Sequence, residues 1–232
     1  MSSEMQVGYV DHMGSDLSVV NAARVSFHKE SDWDYETSFA VTLKASDTKL
    51  IAFLAREKHE LPFAHATVSL RIKAPIFVAR QLGKHQVGLV WNEVSRRYVS
   101  DPPEFYIPDV WRAKAENVKQ GSSDETVEDL GPRGFHRKNI HEAYQGILDH
   151  AFELYDDMVE HGVCPEQARM VLPQSMMTEW IWTGSLLAFA RTCNLRLDSH
   201  TQKETQEVAQ MISDIIAPLY PVSWAALINE RN

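Results

Sequence analysis

The sequence predicts an α+β fold, and three observations predict it. One short stretch alternates strictly between apolar and polar residues, as a half-buried strand does. Several much longer stretches carry apolar residues at helical spacing. No strand–helix unit repeats in the way that winds a parallel sheet. At 232 residues, 44% hydrophobic and 24% charged, the chain can form one large domain with a real core, or two small ones.

Taken in order, Met5–Val10 reads as a short strand. Asp16–Phe27 reads as a helix with Asp16 as N-cap and Leu17, Val20 and Ala23 on one face. Lys29–Ser38 is acidic, aromatic and loop-like, and Asp47–Lys58 spaces Leu50, Phe53 and Leu54 for a second helix. His59–His65 is a turn about Pro62. Thr67–Lys73 sets Val68, Leu70 and Ile72 against Thr67, Ser69, Arg71 and Lys73, which gives a strand with one buried face. Pro75 opens a helix over Ile76–Leu82, and Gly83 ends it. A long loop follows, and Asp101–Pro108 is extended. Ala113–Gly134 is polar and reads as a mobile or variable insertion. Arg137–His161 is a long helix with Ile140, Tyr144, Ile147, Ala151, Leu154 and Met158 along one face. Pro165 starts a short helix containing Arg169, Gln174–Trp182 is a strand, and Ser185–Leu195 and Thr201–Leu219 are helices.

The net charge of −9 argues against a nucleic-acid surface, which is usually basic. A local group of cations can still reverse the field inside a cleft. Two cysteines, Cys164 and Cys193, give neither a disulfide framework nor a metal spacing. No signal-peptide pattern and no apolar run of about 20 residues appear, so a reduced, cytoplasmic setting away from membranes is the expectation.

Chemistry concentrates in Arg80–Tyr98, RQLGKHQVGLVWNEVSRRY. Arg80, Lys84, Arg96 and Arg97 surround Gln81, His85, Gln86, Asn92, Glu93 and Ser95. Arg forks match phosphate oxygens in pairs, and Gly83 and Gly88 let the backbone come close to a ligand. The stretch fits a site for an anionic, phosphorylated small molecule. It also fits a surface loop in which Glu93 pairs with Arg96 or Arg97.

The run Asn92–Tyr98, NEVSRRY, resembles the second half of the signature R-H-R-x-x-S-x-N-E-x-S-x-R-Y of flavin-dependent thymidylate synthases (ThyX). The first half departs from it. With one extra residue between Val87 and Trp91, its R-H-R falls on Lys84, His85 and Gln86. MGSDLSVVNAARVSF, HELPFAH, IKAPIFVARQ, PEFYIP, ARMVLP and LRLDSH resemble further blocks of the family, in family order. The resemblance implies one α+β domain over 1–232, with a central, mostly antiparallel sheet flanked by long helices and protomers assembled as a homotetramer with sites between subunits. It implies reductive methylation of dUMP to dTMP, with FAD as cofactor, methylenetetrahydrofolate as carbon donor and NADPH as reductant.

By the same resemblance, Gln81, Lys84, Glu93, Ser95, Arg96, Arg97, Arg169 and Arg196 contact dUMP. His59, Lys84, His85, Gln86, Glu93, Ser185, Arg191 and His200 hold FAD. Arg196 is the catalytic residue, a fixed cation that favours ionisation of the uracil ring. Ser185 and Arg191 stand where the family has Asn, Leu187 replaces an Arg, and Leu61 replaces a Thr, so polar contacts to flavin are fewer. Arg191 offers a compensating cation for the pyrophosphate.

No cysteine has a convincing base nearby. Both read as buried small hydrophobes, and Ser95 reads as a binding group, so no covalent enzyme nucleophile is expected. His59 and His65 are six apart with Pro62 between them, which does not fit a helical zinc pair, and no metal is expected. Asp198-Ser199-His200 lists a triad's residues, but neighbours in sequence are not expected to face one another as a triad requires; Asp198 or Ser199 reads instead as a helix N-cap. Two rival readings remain. A non-catalytic nucleotide sensor fits the departures at the flavin contacts. RNA binding fits SRRY with Trp91 and Tyr98 but not the net charge.

Overall fold

The computed structural model describes residues 3–37, 40–99, 101–116, 121–131 and 139–228. Its centre is a four-stranded antiparallel sheet. The strands are β1 (Gln6–Met13), β4 (Thr67–Pro75), β8 (Met177–Ser185) and β5 (Leu89–Glu93), in that order across the sheet. The expected mostly antiparallel sheet is therefore present, and every pair in it is antiparallel. Two small two-stranded pieces lie outside it: β2 (Asp34–Thr37) with β3 (Ala40–Thr42), and β6 (Arg112–Lys114) with β7 (Ser122–Thr126).

β4 buries Val68, Leu70, Ile72 and Ala74 at 1% exposure or less, the face that alternation marks. β8 alternates likewise, burying Trp180 and Trp182. The two strands pair from Thr67↔Ser185 to Pro75↔Met177. Each runs straight into a helix: β4 into α3 (Ile76–Leu82), with Pro75 as N-cap, and β8 into α6 (Leu186–Arg196), with Ser185 as N-cap. Because the strands are antiparallel, the helices leave from opposite ends of the pair and return over the sheet. Val78, Leu82, Leu186 and Phe189 join the core with α7 (Lys203–Ile216), whose Val208, Ile212 and Ile216 are fully buried.

α1 (Asp16–Arg24) begins at Ser15, whose N–H donates to Ser18 Oγ at 3.0 Å. Asp16 is thus not the N-cap. It lies one residue inside, is 4% exposed, and accepts the N–H groups of Val222 and Ser223 at 3.0 and 2.8 Å. Those groups open α8 (Pro221–Ile228), a helix the sequence reading did not separate. α2 (Ala45–Arg56) packs beside α1, and Asp47 on it is fully buried and ion-paired with Arg24. The turn after it is 3-10 helical over Leu61–His65.

Other expectations need correction. Part of the loop expected over Lys29–Ser38 is β2. The loop expected after α3 contains β5, an edge strand hydrogen-bonded to β8. Gly184 lets β5 come this close, because a Cβ there would lie 2.4 Å from Leu89 Cδ2 and 2.7 Å from the Gly88 carbonyl. Gly83 does end α3, but in right-handed backbone. The strand expected from Gln174 begins instead at Met177. Gln202, rather than Asp198 or Ser199, caps α7.

The long helix is α4 (Ile140–Glu160), capped by Asn139 Oδ1 accepting from Glu142 N at 2.7 Å. Arg137 lies outside the described residues. α4 buries Ala143, Leu148 and Tyr155, while Ile147 and Leu154 of the expected face are each 48% exposed. α5 (Pro165–Ala168) is a single turn, continued as 3-10 helix through Arg169. Within Ala113–Gly134 the described residues include β7 and the last two residues of its antiparallel partner β6. No described helix is long and apolar enough to cross a membrane.

Candidate active site

The chemistry-bearing residues line three adjoining depressions around α3 and β5. The first, of about 510 Å³, lies where the C-termini of α3 and α6 meet the start of α7. Gln81, Lys84, Arg196 and His200 line it, with Arg112, Ser122, Gln202 and Lys203. Among these described residues are the cations Lys84, Arg112, Arg196 and Lys203 and no carboxylate, although Arg112 is ion-paired with Glu204 behind the wall. Such a wall attracts anions although the whole chain is acidic.

Arg196 is fixed by both neighbours. Its Nη2 donates to the Gln81 carbonyl at 3.0 Å and its Nε to His85 Nε2 at 3.0 Å. Partial burial lowers its pKa, yet a guanidinium stays charged at any working pH. His85 is held below its ordinary 6.5, first by burial and then by the charge on Arg196. It is therefore neutral near pH 7, which the accepting Nε2 requires.

The second depression, about 410 Å³, shares Lys84 with the first. Arg80, His85, Gln86, Trp91, Glu93 and Trp182 contribute to it. Trp91 lies flat on Trp180, with ring centroids 4.2 Å apart, and edge-on to Trp182. The Glu93 carboxylate accepts from Thr178 Oγ1 at 2.6 Å and from Trp91 Nε1 at 3.1 Å. Indole walls beside cations suit a cofactor with a flat ring system and a pyrophosphate.

Glu93 also reaches the third depression, about 460 Å³, with Arg96 and Arg169. Here the cations are matched by acids. Lys73 donates to both Glu104 oxygens at 2.9 and 2.7 Å and, with Ser3, holds that carboxyl below its ordinary range. The Arg96 guanidinium is occupied by the Asp101 and Pro102 carbonyls. The third depression is thus the less anion-attracting.

The family model described as Thymidylate synthase complementing protein matches residues 9–222. The flavin-dependent thymidylate synthase of Thermosipho africanus is 35% identical over 94% of this chain and 89% of its own length. That of Kosmotoga olearia is 37% identical over 95% and 88%. The chain belongs to the flavin-dependent thymidylate synthase family. Among solved structures, a UMP/dUMP methylase, PolB from Streptomyces cacaoi, bound with 5-Br dUMP, matches with a TM-score of 0.77 at 28% identity, covering 97% of this chain and 95% of that one. The resemblance drawn from NEVSRRY and its accompanying blocks therefore stands, and the activity of the family is that of a methyltransferase acting with FAD.

Of the residues expected at the nucleotide, a single chain brings together Gln81, Lys84 and Arg196 in one depression, and Glu93, Arg96 and Arg169 in another. Arg97 stands on an exposed turn, its Nε donating to Ser95 Oγ at 3.2 Å and its guanidinium over the Tyr98 ring. Of those expected at the flavin, Lys84, His85, Gln86 and Glu93 share the tryptophan-lined depression, and His200 lines the cationic one. Ser185 Oγ is occupied in capping α6, accepting from Ala188 N at 3.2 Å. Arg191 is ion-paired with Glu60, so the compensating cation is partly neutralised. His59 packs edge-on against Phe53.

Asp198 does face His200 after all. Its Oδ1 accepts the His200 backbone N–H at 2.8 Å and lies 2.9 Å from His200 Nδ1, because the chain turns back before α7. Cys193 is buried, with its pKa pushed up by burial, as a packing residue would be, but Cys164 is exposed rather than buried. Sequence reasoning missed Arg112, Gln202 and Glu204. A Gln and a Glu within four residues after the LRLDSH block were the available signal; Arg112 gave none.

The sign of the pH dependence follows from His85. A histidine whose folded pKa is lowered contributes stability that is fully present above pH 6.5 and is lost as the pH falls through the folded value. Protonation also sets a cation against Arg196. Acidification from about pH 7.5 to about pH 5 is expected to lower the thermal midpoint more in the wild type than in His85→Gln, measured by calorimetry. Equal losses would remove His85 from the account.

Proposed function

We propose that this chain carries out the reductive methylation of dUMP to dTMP as a flavin-dependent thymidylate synthase, with methylenetetrahydrofolate as carbon donor and NADPH as reductant. The observation that carries the reading is the cation-lined depression formed by Gln81, Lys84 and Arg196, with no carboxylate among its described lining residues, within a chain of this family. A monophosphate there is neutralised by Lys84 with Lys203, while Arg196 lies where its charge favours loss of the ring proton of uracil. Neutral His85 keeps that guanidinium directed by accepting at Nε2. Lys84, His85, Gln86 and Glu93 would hold FAD beside it, and Trp91 and Trp182 exclude water. When bound, the flavin supplies the hydride chemistry that no side chain offers. No protein nucleophile is needed; the chain orients and polarises the uracil.

Ser95, Arg96, Arg97 and Arg169 serve the nucleotide from the other side of β5, and assembly as a homotetramer would let one protomer's set meet the next protomer's Arg196. The exposed stripe of Ile147 and Leu154 on α4 supports subunit contacts. His59, Ser185 and Arg191 form the outer edge of the flavin site, the chain works as one domain, and its setting is the cytoplasm.

The test is tritium release from 5-labelled dUMP with and without FAD and NADPH, with labelled UMP in parallel because the Streptomyces cacaoi methylase is named for both nucleotides. Release that requires both additions is expected. A protein that takes up FAD but releases no tritium from either nucleotide would refute the reading.

A further inference from the structure

We propose that Glu204 is a positioning residue that fixes, through Gln202, which way the amide of Gln81 faces. Glu204 lies in the first turn of α7 and is 4% exposed. Its Oε1 accepts from Arg112 Nη2 at 2.6 Å and its Oε2 from Gln202 Nε2 at 2.9 Å. A carboxylate paired with an arginine only accepts. Gln202 must therefore turn its NH2 towards Glu204 and its oxygen the other way. That oxygen receives Gln81 Nε2 at 2.5 Å. Gln81 is thereby left with its oxygen towards Thr205, whose Oγ1 donates to it at 3.2 Å.

The direction of the series is set from one end only. The Thr205 hydroxyl donates or accepts equally well, so it follows whatever Gln81 presents. An isolated glutamine amide turns over with little change in shape, and its donor and acceptor exchange places. The charge on Glu204 removes that freedom from both amides. Gln81 consequently offers the cationic depression one remaining N–H and one remaining lone pair in fixed positions, beside the Arg196 guanidinium that its own carbonyl holds.

The consequence for specificity rests on the reading that this depression takes a pyrimidine nucleotide. Uracil carries an accepting carbonyl where cytosine carries a donating amino group, a difference that survives loss of the uracil ring proton. A fixed amide tells them apart, because the wrong partner leaves polar groups unpaired. An amide free to turn does not.

Two variants separate this role from simple structural support. Glu204→Gln can present either oxygen or NH2 to Gln202, so the series can reverse. Arg112→Gln breaks the same ion pair but keeps the accepting carboxylate. With FAD-loaded protein and calorimetric titration, Glu204→Gln should raise the dUMP Kd about tenfold and narrow the preference over dCMP by a similar factor. Arg112→Gln should lose stability and some affinity while keeping the preference. Equal narrowing in both variants, or an intact preference in Glu204→Gln, overturns the proposal. In protein carrying 15N-glutamine, with Gln81 assigned by its absence in Gln81→Leu, the wild type should show one resolved side-chain NH2 pair that averages or doubles in Glu204→Gln. An unchanged pair overturns the proposal whether or not a nucleotide binds, and failure of the wild type to bind dUMP would instead count against the functional reading.

Discussion

Arg196→Ala should lower the rate of dTMP formation by a factor on the order of 10²–10³, the range seen when one preorganised donor is removed from a developing negative charge. Three effects add. The cation proposed to favour the ionised ring disappears. His85 Nε2 and the Gln81 carbonyl lose their donor. The depression also loses one of its cations. Arg196→Lys should recover only part of the rate, because an ammonium cannot fork between a ring nitrogen and a carbonyl as the guanidinium does. The assay is tritium release at saturating dUMP, with flavin absorbance checked in parallel. A fall in rate that follows flavin loss, or no fall at all, would place Arg196 outside the chemistry.

Asp16→Ala should destabilise the fold by about 3–5 kcal/mol, since it removes a buried charged acceptor from two backbone donors at once. The first turn of α8 has no other described partner for Val222 and Ser223 N–H. The Ser223 N–H cannot turn to water, because Ser223 is fully buried and Trp224 beside it is 3% exposed. Asp16→Asn, which keeps one acceptor, should lose roughly half as much. Denaturant unfolding of the three proteins gives the comparison. A loss below about 1 kcal/mol for Asp16→Ala would mean that α8 is held by its apolar face alone.

The parts of the fold legible in the sequence are those decided by a single local rule. Thr67–Lys73 alternates because one face meets core and the other does not, and the structure buries those residues. Pro75 marks the start of α3 because it fixes an extended turn before a helix. The missed parts are set by distant partners. β5 is a strand because Gly184, almost a hundred residues on, leaves room for it, and nothing in Leu89–Glu93 says so. Asp16 looks like a cap in sequence and is one, but for a helix beginning more than two hundred residues later. On α4, helical spacing gave the helix and the wrong share of its face, since periodicity cannot tell whether a stripe meets core or solvent.

The site divides in the same way. Gln81, Glu93 and Arg196 fall in matched blocks, Lys84 and His85 are reached by allowing one extra residue, and all five line connected depressions. Arg112 and Glu204 draw their meaning from a contact across 92 positions, which no local pattern records.

The convergence of α3 and α6 has one more effect. Helices leaving opposite ends of an antiparallel pair bring their carbonyl ends together beneath the cationic depression, and each such end carries the equivalent of about half a negative charge. The start of α7, which lines the same depression, presents the opposite dipole end, so the backbone gives little net pull of either sign. Attraction rests on the side chains laid over it. Strip away enough of those guanidinium and ammonium groups and what is left is a hollow with little hold on an anion.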